Sequence, residues 1–367
     1  MQRRSFLATP LAAFQLATAS EPEKRVYALG DGLRLTPVEY AQLLTRLTPD
    51  LKPDSYSQGG IVEQIETRMA AILGKETAVW LPTGTLANHL AVRLLVGNKR
   101  RVLVQGESHL FRDEGDCAQT LSGLTLVPLA PGRATFTLQE VEQAAYDASQ
   151  GRVLTPIGAI QVETPVRRRQ GESFDFQEMK KICAWARAHS VGLHLDGARL
   201  FLESAYTRRS VKEYCALFDT VYISMWKYFN AASGAILAGP KSLLAELFHT
   251  RRMFGGGLPH VWPDAAVALH YVAGFEDRFR SSVETSERVI AALSKDSNFS
   301  IERIPNGTNI FRLRVFNVNA PVYQQRLDIA GIATSPPAGD WFSVQVNETW
   351  LNLPSDEIVK RFRQALG

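Results

Sequence analysis

The pattern of apolar and polar residues predicts alternating helices and strands from about Gly60 onward. In IVEQIETRMAAIL, apolar residues recur with the spacing of one helical face, and Gly74 follows the stretch. Asp175 precedes FQEMKKICAWARAH and belongs to the residue types that commonly cap a helix start. Further helices are predicted for LANHLAVRLLV, LQEVEQAAYDA, PVYQQRLDIAG and SDEIVKRFRQAL.

Short, continuously apolar runs lie between these helices. They are TAVWL, RVLVQ, LTLVPL, IGAIQVE, VGLHLD, TVYISMW and SGAILAG. Runs of this kind are typical of strands that helices cover on both faces. The alternation therefore predicts an α/β domain built around a mostly parallel sheet.

The pattern changes after Gly255-Gly256-Gly257. One long helical stretch is predicted from Asp264 to about Lys295, followed by shorter strands in FSIERI, NIFRLRV and WFSVQVN. We therefore predict a large domain over residues 20–280 and a small C-terminal α/β domain over residues 281–367. The segment before Gly60 is expected to pack with the small domain.

The first 19 residues have a different composition from the rest of the chain. Arg3 and Arg4 precede an uncharged, alanine-rich run that ends in Ala17-Thr18-Ala19. This order resembles a twin-arginine export signal with an A-x-A cleavage site, and the run is too short for a permanent membrane anchor. We expect residues 1–19 to be a signal peptide and the protein to be periplasmic or otherwise exported; a cytoplasmic location is the alternative.

Composition narrows the classes of function. The chain has 41 basic and 37 acidic residues, and no basic stretch is interleaved with aromatic residues as a nucleic-acid surface requires. Cys117, Cys183 and Cys215 show neither CxxC spacing nor a nearby histidine cluster, so we expect no metal site. A small molecule is therefore the expected partner.

Chemically active residues follow four of the predicted strands. They are Gly84 and Thr85 after TAVWL, Glu163 and Thr164 after IGAIQV, Asp196 and Arg199 after VGLHL, and Lys227 after TVYISMW. Because ligands bind at the carboxyl ends of strands in such sheets, these residues are expected to border one crevice and to contact one cofactor there.

These residue types suit a pyridine aldehyde that carries a phosphate. The N–H groups of Gly84 and Thr85 at a helix start can bind the phosphate, and the Lys227 amine can bond covalently to the aldehyde. Asp196 can keep the ring nitrogen protonated, and His109 in GESHLFR can stack on the ring. Each residue alone also fits an ordinary cap, turn or surface position, so the prediction depends on their combination.

The motifs WLPTGTLAN, HLDGARLF, RRMFGGGL and GTNIFRLRV resemble, in order and spacing, the threonine aldolase and β-eliminating lyase family. The resemblance extends from about Tyr27 to the C-terminus. It implies the α/β aspartate-aminotransferase fold of pyridoxal-phosphate-dependent enzymes, pyridoxal 5'-phosphate as cofactor, an amino-acid substrate, and a homodimer or homotetramer.

The resemblance also implies residue roles. Lys227 matches the lysine that binds the cofactor covalently, Asp196 the partner of the ring nitrogen, and His109 the stacking histidine, which is also the candidate base. Gly84 and Thr85 match the phosphate-binding turn. Arg199 matches the arginine near the ring and phosphate.

Four departures from the family pattern affect the predicted substrate. Trp226 replaces the serine before the lysine, Tyr228-Phe229-Asn230 replaces a glycine-rich sequel, Gly30-Asp31-Gly32 replaces R-S-D-T, and DWFSVQVNETW lacks the arginine that clamps the substrate carboxylate. Trp226 and Tyr228 are therefore expected to crowd the pocket. Arg167 and Arg168 are the predicted substitute anchor; a solvated loop is the alternative.

The sequence thus predicts a pyridoxal-phosphate-dependent carbon–carbon lyase, similar to threonine aldolase, that cleaves a Cα–Cβ bond or carries out β-elimination. A different outcome on the same cofactor, such as transamination, racemisation or decarboxylation, is one alternative. A cofactor-binding protein without turnover is the other.

Overall fold

The computed structural model of the protein describes residues 24–367. The predicted export signal therefore lies outside the described residues. Within residues 24–367, no helix has a stretch that is long and apolar enough to cross a bilayer.

Strands and helices alternate through the first two thirds of the described chain. The strands are β1 (Val26–Tyr27), β2 (Thr77–Leu81), β3 (Arg101–Gln105), β4 (Thr125–Leu129), β5 (Ile157–Glu163), β6 (Gly192–Asp196), β7 (Thr220–Ser224), β8 (Ala235–Gly239), β9 (Phe299–Arg303), β10 (Ile310–Val315), β11 (Ile332–Ala333) and β12 (Trp341–Gln345). The α-helices are α1 (Pro37–Leu47), α2 (Gly60–Leu73), α3 (Gly84–Val96), α4 (His109–Arg112), α5 (Cys117–Ser122), α6 (Leu138–Ser149), α7 (Phe176–Ala188), α8 (Leu200–Thr207), α9 (Val211–Cys215), α10 (Lys241–Leu244), α11 (Leu247–Met253), α12 (Trp262–Val272), α13 (Phe275–Leu293), α14 (Ala320–Ile329) and α15 (Ser355–Gln364). Short 3₁₀ helices span Arg167–Arg169 and Glu348–Leu351.

The large sheet has seven strands in the order β2-β8-β7-β6-β5-β3-β4. Strand β8 runs antiparallel to both of its neighbours, and β3 to β7 pair in parallel. Every residue of β5, β7 and β8 is buried, as the continuously apolar runs predicted. The predicted mostly parallel α/β sheet is confirmed.

Side-chain caps define where two of the site-forming helices begin. Thr83 caps α3, with its hydroxyl oxygen accepting from the Leu86 N–H at 3.2 Å. The predicted cap Asp175 is confirmed, because its carboxylate accepts from the Glu178 N–H at 2.8 Å. Helix α3 packs across β5 to β8 and so brings its N-terminus to the carboxyl ends of the parallel strands.

The C-terminal part contains the small antiparallel sheet β12-β10-β9. Strand β1 pairs in parallel with β11, so the start of the described chain joins this part. The predicted single helix from Asp264 is instead α12 and α13, separated at Gly274, whose φ of 68° breaks the helix. Helix α13 runs through position 280, and the domain boundary there stays a prediction.

Candidate active site

A cavity of about 930 Å³ opens where β5, β6 and β7 end and α3 begins. The predicted residues that line it are Gly84, His109, Glu163, Arg167, Asp196, Arg199 and Lys227. The predicted residues Thr85, Thr164 and Arg168 are not part of the lining. The segments at the ends of β2, β3, β5, β6 and β7 therefore converge on one site.

Asp196 is almost fully buried at the end of β6. Its Oδ2 accepts a hydrogen bond from the Asn88 Nδ2 at 2.8 Å, and its Oδ1 accepts from the Ala198 N–H at 3.1 Å. A buried carboxylate held by two donors keeps a fixed orientation, and its charge has few other partners in the protein. Asp196 can therefore pair with a cationic ring nitrogen.

The orientation of Asn88 is determined by His194. The Nε2 of His194 lies 3.0 Å from the Asn88 Oδ1, and its Nδ1 lies 2.9 Å from the Thr220 hydroxyl. Burial lowers the pKa of His194 to about 4, so the ring is neutral and donates from Nε2 to the Asn88 oxygen. This leaves both Asn88 amide hydrogens for the carboxylates of Asp196 and Glu114.

His109 begins helix α4 and is held at both backbone and ring. Its N–H donates to the Glu163 Oε2 at 2.6 Å, and its Nδ1 lies 2.8 Å from the Glu114 Oε1. The hydrogen bond to Glu114 raises the pKa of His109, whereas burial acts to lower it. With Nδ1 engaged, Nε2 is the ring nitrogen without a hydrogen-bond partner among residues 24–367.

The Glu163 carboxylate accepts hydrogen bonds from two backbone N–H groups. Its carboxylate accepts from the N–H groups of His109, at 2.6 Å, and Arg167, at 2.9 Å. Burial, and then the charge of Asp196, raises its pKa to about 7. The neighbouring Thr164 has its hydroxyl 2.8 Å from the Glu203 Oε2, away from the cavity, while its backbone N–H donates to the Asp196 carbonyl at 3.1 Å.

Lys227 follows β7 and is half-buried in the cavity wall. Burial, and then the positive charge of Arg199, lower its pKa to about 8. Its Nζ lies 4.9 Å from the centroid of the Trp226 ring. Because a neutral amine is the nucleophile, a lowered pKa makes Lys227 suited to react with an aldehyde near neutral pH.

Arg199 is paired with a residue from the N-terminal loop. Its Nε donates to the Asp31 Oδ2 at 2.9 Å, and both side chains are largely buried. The loop is held close to the lysine, since a Cβ added at Gly32 would lie 2.4 Å from the Lys227 carbonyl oxygen. The Leu33 N–H also donates to the Asn230 Oδ1 at 2.8 Å.

Only glycine fits at the first position of α3. A Cβ at Gly84 would lie 2.0 Å from the Tyr222 hydroxyl oxygen, and both residues line the cavity. Exposed N–H groups at a helix N-terminus, next to a hydroxyl, suit a phosphate. This phosphate site, the Asp196 carboxylate and the Lys227 amine together fit pyridoxal phosphate.

Two of the departures noted in the sequence lie in different environments. Trp226 lines the cavity and is 52% exposed. Tyr228 is buried and packs against Phe201, Phe229 and Phe275 in an aromatic cluster, outside the cavity lining. The expectation that Tyr228 crowds the pocket is therefore wrong, and Trp226 is the large ring beside the lysine.

The two arginines predicted to anchor the substrate differ in their position relative to the cavity. Arg167 lines the cavity and lies 3.4 Å from Asp113, whereas Arg168 bonds Asp113 at 2.8 Å and is not part of the lining. From DWFSVQVNETW, Gln345 lines the cavity. The segment that carries an arginine in the resembled family thus contributes an amide here.

Sequence reasoning did not identify several residues of the cavity and its supporting network. They are Asp31, Arg34, Asn88, Glu114, Tyr222 and Gln345. The sequence did contain a signal for Asn88, because it is a polar residue among apolar residues on the buried face of α3. The role of Asp31 had no local signal, because its partner is 168 positions away.

The fold and the cavity together indicate a class of protein. An α/β sheet with a helix N-terminus, a buried carboxylate and a lysine of lowered pKa around one cavity fits the pyridoxal-phosphate-dependent enzymes. The profile of the family described as beta-eliminating lyase matches residues 50–311. The chain belongs to the beta-eliminating lyase family, whose members depend on pyridoxal phosphate.

Individual relatives agree with this assignment. A low-specificity L-threonine aldolase of Candida albicans is 29% identical over 220 residues, which cover 59% of this chain and 58% of that protein. An alanine racemase of Cochliobolus carbonum is 31% identical over 219 residues, covering 58% and 54%. The chain thus matches somewhat more than half the length of these curated relatives.

A solved structure extends the similarity to nearly the whole chain. A Listeria monocytogenes protein, described as a candidate L-allo-threonine aldolase, superposes with a TM-score of 0.75 at 28% identity and covers 93% of this chain and 95% of its own. The predicted aspartate-aminotransferase fold and pyridoxal-phosphate cofactor are therefore confirmed. The roles of the individual site residues stay predictions.

Replacing Glu114 with glutamine is expected to lower the pKa of His109. The substitution keeps the shape but removes the charged acceptor that stabilises the protonated ring. Histidine ring signals followed by NMR against pH in the cofactor-free protein measure this directly. Glu107→Gln is the matched control, since Glu107 lies near Arg112 and Arg168 and should leave the His109 titration in place.

Proposed function

We propose that this protein is a pyridoxal-phosphate-dependent lyase that acts on an amino acid. The reaction is Cα–Cβ cleavage of the threonine aldolase type, or β-elimination. The observation that carries the proposal is the convergence of Lys227, Asp196 and His109 on one cavity. The family match and the names of the relatives support it.

The residues divide the work of binding and positioning. Pyridoxal phosphate, when bound, supplies an electron-withdrawing ring that accepts the electrons of a broken substrate bond. Lys227 would bind its aldehyde, Asp196 would hold the proton on its ring nitrogen, and the N-terminus of α3 with Tyr222 would hold its phosphate. Arg199, paired with Asp31, places a fixed positive charge near Lys227 and adds to the effect of burial in lowering the pKa of its amine.

His109 is the residue proposed to move a proton. The Glu114 carboxylate holds its Nδ1 and raises its pKa, which makes the ring a stronger base. Its Nε2 can then take a proton from a substrate β-hydroxyl, which C–C cleavage requires. Lys227, once its amine is free, is the second group in the cavity able to accept or return a proton.

Racemisation is the second candidate. The named alanine racemase among the relatives is 31% identical, slightly more than the threonine aldolase of Candida albicans. Racemisation needs proton removal and return at Cα and no β-hydroxyl. Turnover of an amino acid that lacks a β-hydroxyl would therefore indicate racemisation, and cleavage of a β-hydroxy amino acid would indicate aldolase activity.

The test is a visible spectrum followed by a substrate panel. Purified protein is expected to be yellow, and its spectrum should change when amines are added. Formation of glycine and an aldehyde from a β-hydroxy amino acid supports the aldolase proposal. Because Trp226 stands beside Lys227, threonine is expected to be a weaker substrate than a bulkier β-hydroxy amino acid; efficient cleavage of threonine would contradict that preference.

The cellular location and assembly are proposed from the sequence and the family resemblance. The protein is exported after folding with its cofactor, and its leader is cleaved after Ala19. It forms a homodimer or homotetramer. N-terminal sequencing of protein from cell fractions and light scattering measure these two properties, and full-length cytosolic protein or a monomer would contradict them.

A further inference from the structure

Most cationic side chains that line the cavity already have an anionic partner. Arg199 is bonded to Asp31 at 2.9 Å, His109 to Glu114 at 2.8 Å, and Arg167 lies 3.4 Å from Asp113. Lys227 is the residue for the cofactor aldehyde. Arg34 also lines the cavity, and among residues 24–367 no carboxylate lies within ion-pair distance of it.

A substrate carboxylate at Arg199 would meet the charge of Asp31. Both side chains of that pair are largely buried, with 17% of Arg199 and 10% of Asp31 exposed. Asp31 engages the Nε of Arg199 and offsets part of its charge, whereas Arg34 has no carboxylate partner among residues 24–367.

The backbone of Arg34 is held in place by the loop that carries it. Arg34 has a φ of 57°, a left-handed conformation that costs energy for a residue with a side chain. Its guanidinium lies 5.8 Å from the centroid of the Tyr27 ring, within cation–π range. Tyr27 itself is fixed, because the Asn347 Nδ2 donates to its carbonyl oxygen at 2.8 Å.

The same loop is docked against the lysine segment. Leu33, the residue before Arg34, donates its N–H to Asn230, three residues after Lys227. Gly32 contacts the Lys227 carbonyl so closely that a Cβ does not fit. The backbone that carries Arg34 is therefore held against the backbone of the lysine segment, and both residues line the same cavity.

We propose that Arg34 binds the carboxylate of the amino-acid substrate. This rests on the proposed function, since it assumes an amine substrate that reaches Lys227. It moves the substitute anchor from the predicted Arg167 and Arg168 at the rim to the N-terminal loop. The ligand class is an amine that bears a free carboxylate.

The experiment titrates the holoenzyme with glycine and with glycinamide and follows the visible spectrum. The two probes share a skeleton and differ in the carboxylate. Arg34→Ala is expected to raise the Kd for glycine about ten- to hundred-fold, the loss typical of a charged hydrogen-bonding partner. The Kd for glycinamide should stay within about twofold, because the amide does not need the cation.

Arg25→Ala is the matched control. Its guanidinium also lies 5.8 Å from the Tyr27 centroid, but Arg25 pairs with Asp328 and is not part of the cavity lining. This variant should bind both probes as the wild type does. Equal weakening of glycine by both variants would mean that Tyr27 packing, and not a carboxylate contact, is disturbed, and would overturn the proposal.

Four further outcomes are decisive. Unchanged glycine binding in Arg34→Ala overturns the proposal, as does equal weakening of glycine and glycinamide. Selective weakening of glycine by Arg167→Ala or Arg168→Ala, but not by Arg34→Ala, places the anchor at the rim instead. A wild-type spectrum that responds to neither probe contradicts the proposed function itself, and the inference falls with it.

Discussion

Replacing Lys227 with alanine is expected to abolish the covalent attachment of the cofactor and reduce turnover by several orders of magnitude. Among the described residues that line the cavity, Lys227 alone carries an amine, and burial lowers its pKa to about 8. Borohydride treatment followed by peptide mapping measures the attachment. In the wild type the reduced cofactor should be on the peptide that contains Lys227.

Lys75→Ala is the matched control for this substitution. Burial also lowers the pKa of Lys75, but this lysine bonds the Phe218 carbonyl outside the cavity. Attachment should survive in that variant. A reduced adduct mapped to any lysine other than Lys227 would refute the assignment.

The lowered pKa of Lys227 also determines the pH dependence of cofactor uptake. The neutral amine reacts, and its fraction rises with pH until the pKa is passed. The pKa of Lys227 is about 8. The rate at which cofactor-free protein takes up pyridoxal phosphate should therefore level off just above that pH, and not near the ordinary lysine pKa of about 10.4. Stopped-flow absorbance across this range measures the profile.

The large sheet and the main points of the site could be predicted because their signals are local. Continuously apolar runs identify covered strands, and Asp196 and Lys227 immediately follow such runs. Once the sheet is parallel, its carboxyl ends must share one edge. Gly84, Asp196, Arg199 and Lys227 were therefore placed together from sequence, and the structure brings them to one cavity.

The rest of the site depends on contacts between distant segments. Asp31 pairs with Arg199 across 168 positions, and Leu33 bonds Asn230 across 197. Thr164 sits at a predicted strand end, but alternation along the strand turns its hydroxyl to Glu203. Tyr228 follows Lys227 directly, yet the chain turns it into the aromatic cluster. Periodicity carries no information on such loop directions.

The supporting network explains why Asp196 should be more sensitive than its single charge suggests. Asn88 joins Asp196 to Glu114, and Glu114 holds His109, so the ring partner and the candidate base share one set of hydrogen bonds. His194 fixes the Asn88 amide from behind. A change at Asp196 therefore reaches His109 without any shift of the backbone.

Replacing Asp196 with asparagine is expected to keep the cofactor bound while lowering kcat by about a hundred- to thousand-fold, the loss typical when one preorganised electrostatic partner is removed. The amide preserves the volume of the side chain, and Lys227 with the α3 N-terminus still holds the cofactor. What is lost is the negative charge that keeps a proton on the ring nitrogen. Cofactor content by absorbance and kcat on the best substrate separate binding from catalysis.

Asp219→Asn is the control for this last substitution. Asp219 also serves β6, accepting from the Leu193 N–H at 2.8 Å, but it does not line the cavity, so turnover should remain near that of the wild type. The pKa of His109 provides a second measurement on the Asp196→Asn variant. With one of the two carboxylates on Asn88 neutralised, the pKa of His109 should fall in Asp196→Asn, because the charge of Asp196 contributes to raising it. Near-normal kcat in Asp196→Asn, with full cofactor content, would remove Asp196 from the mechanism.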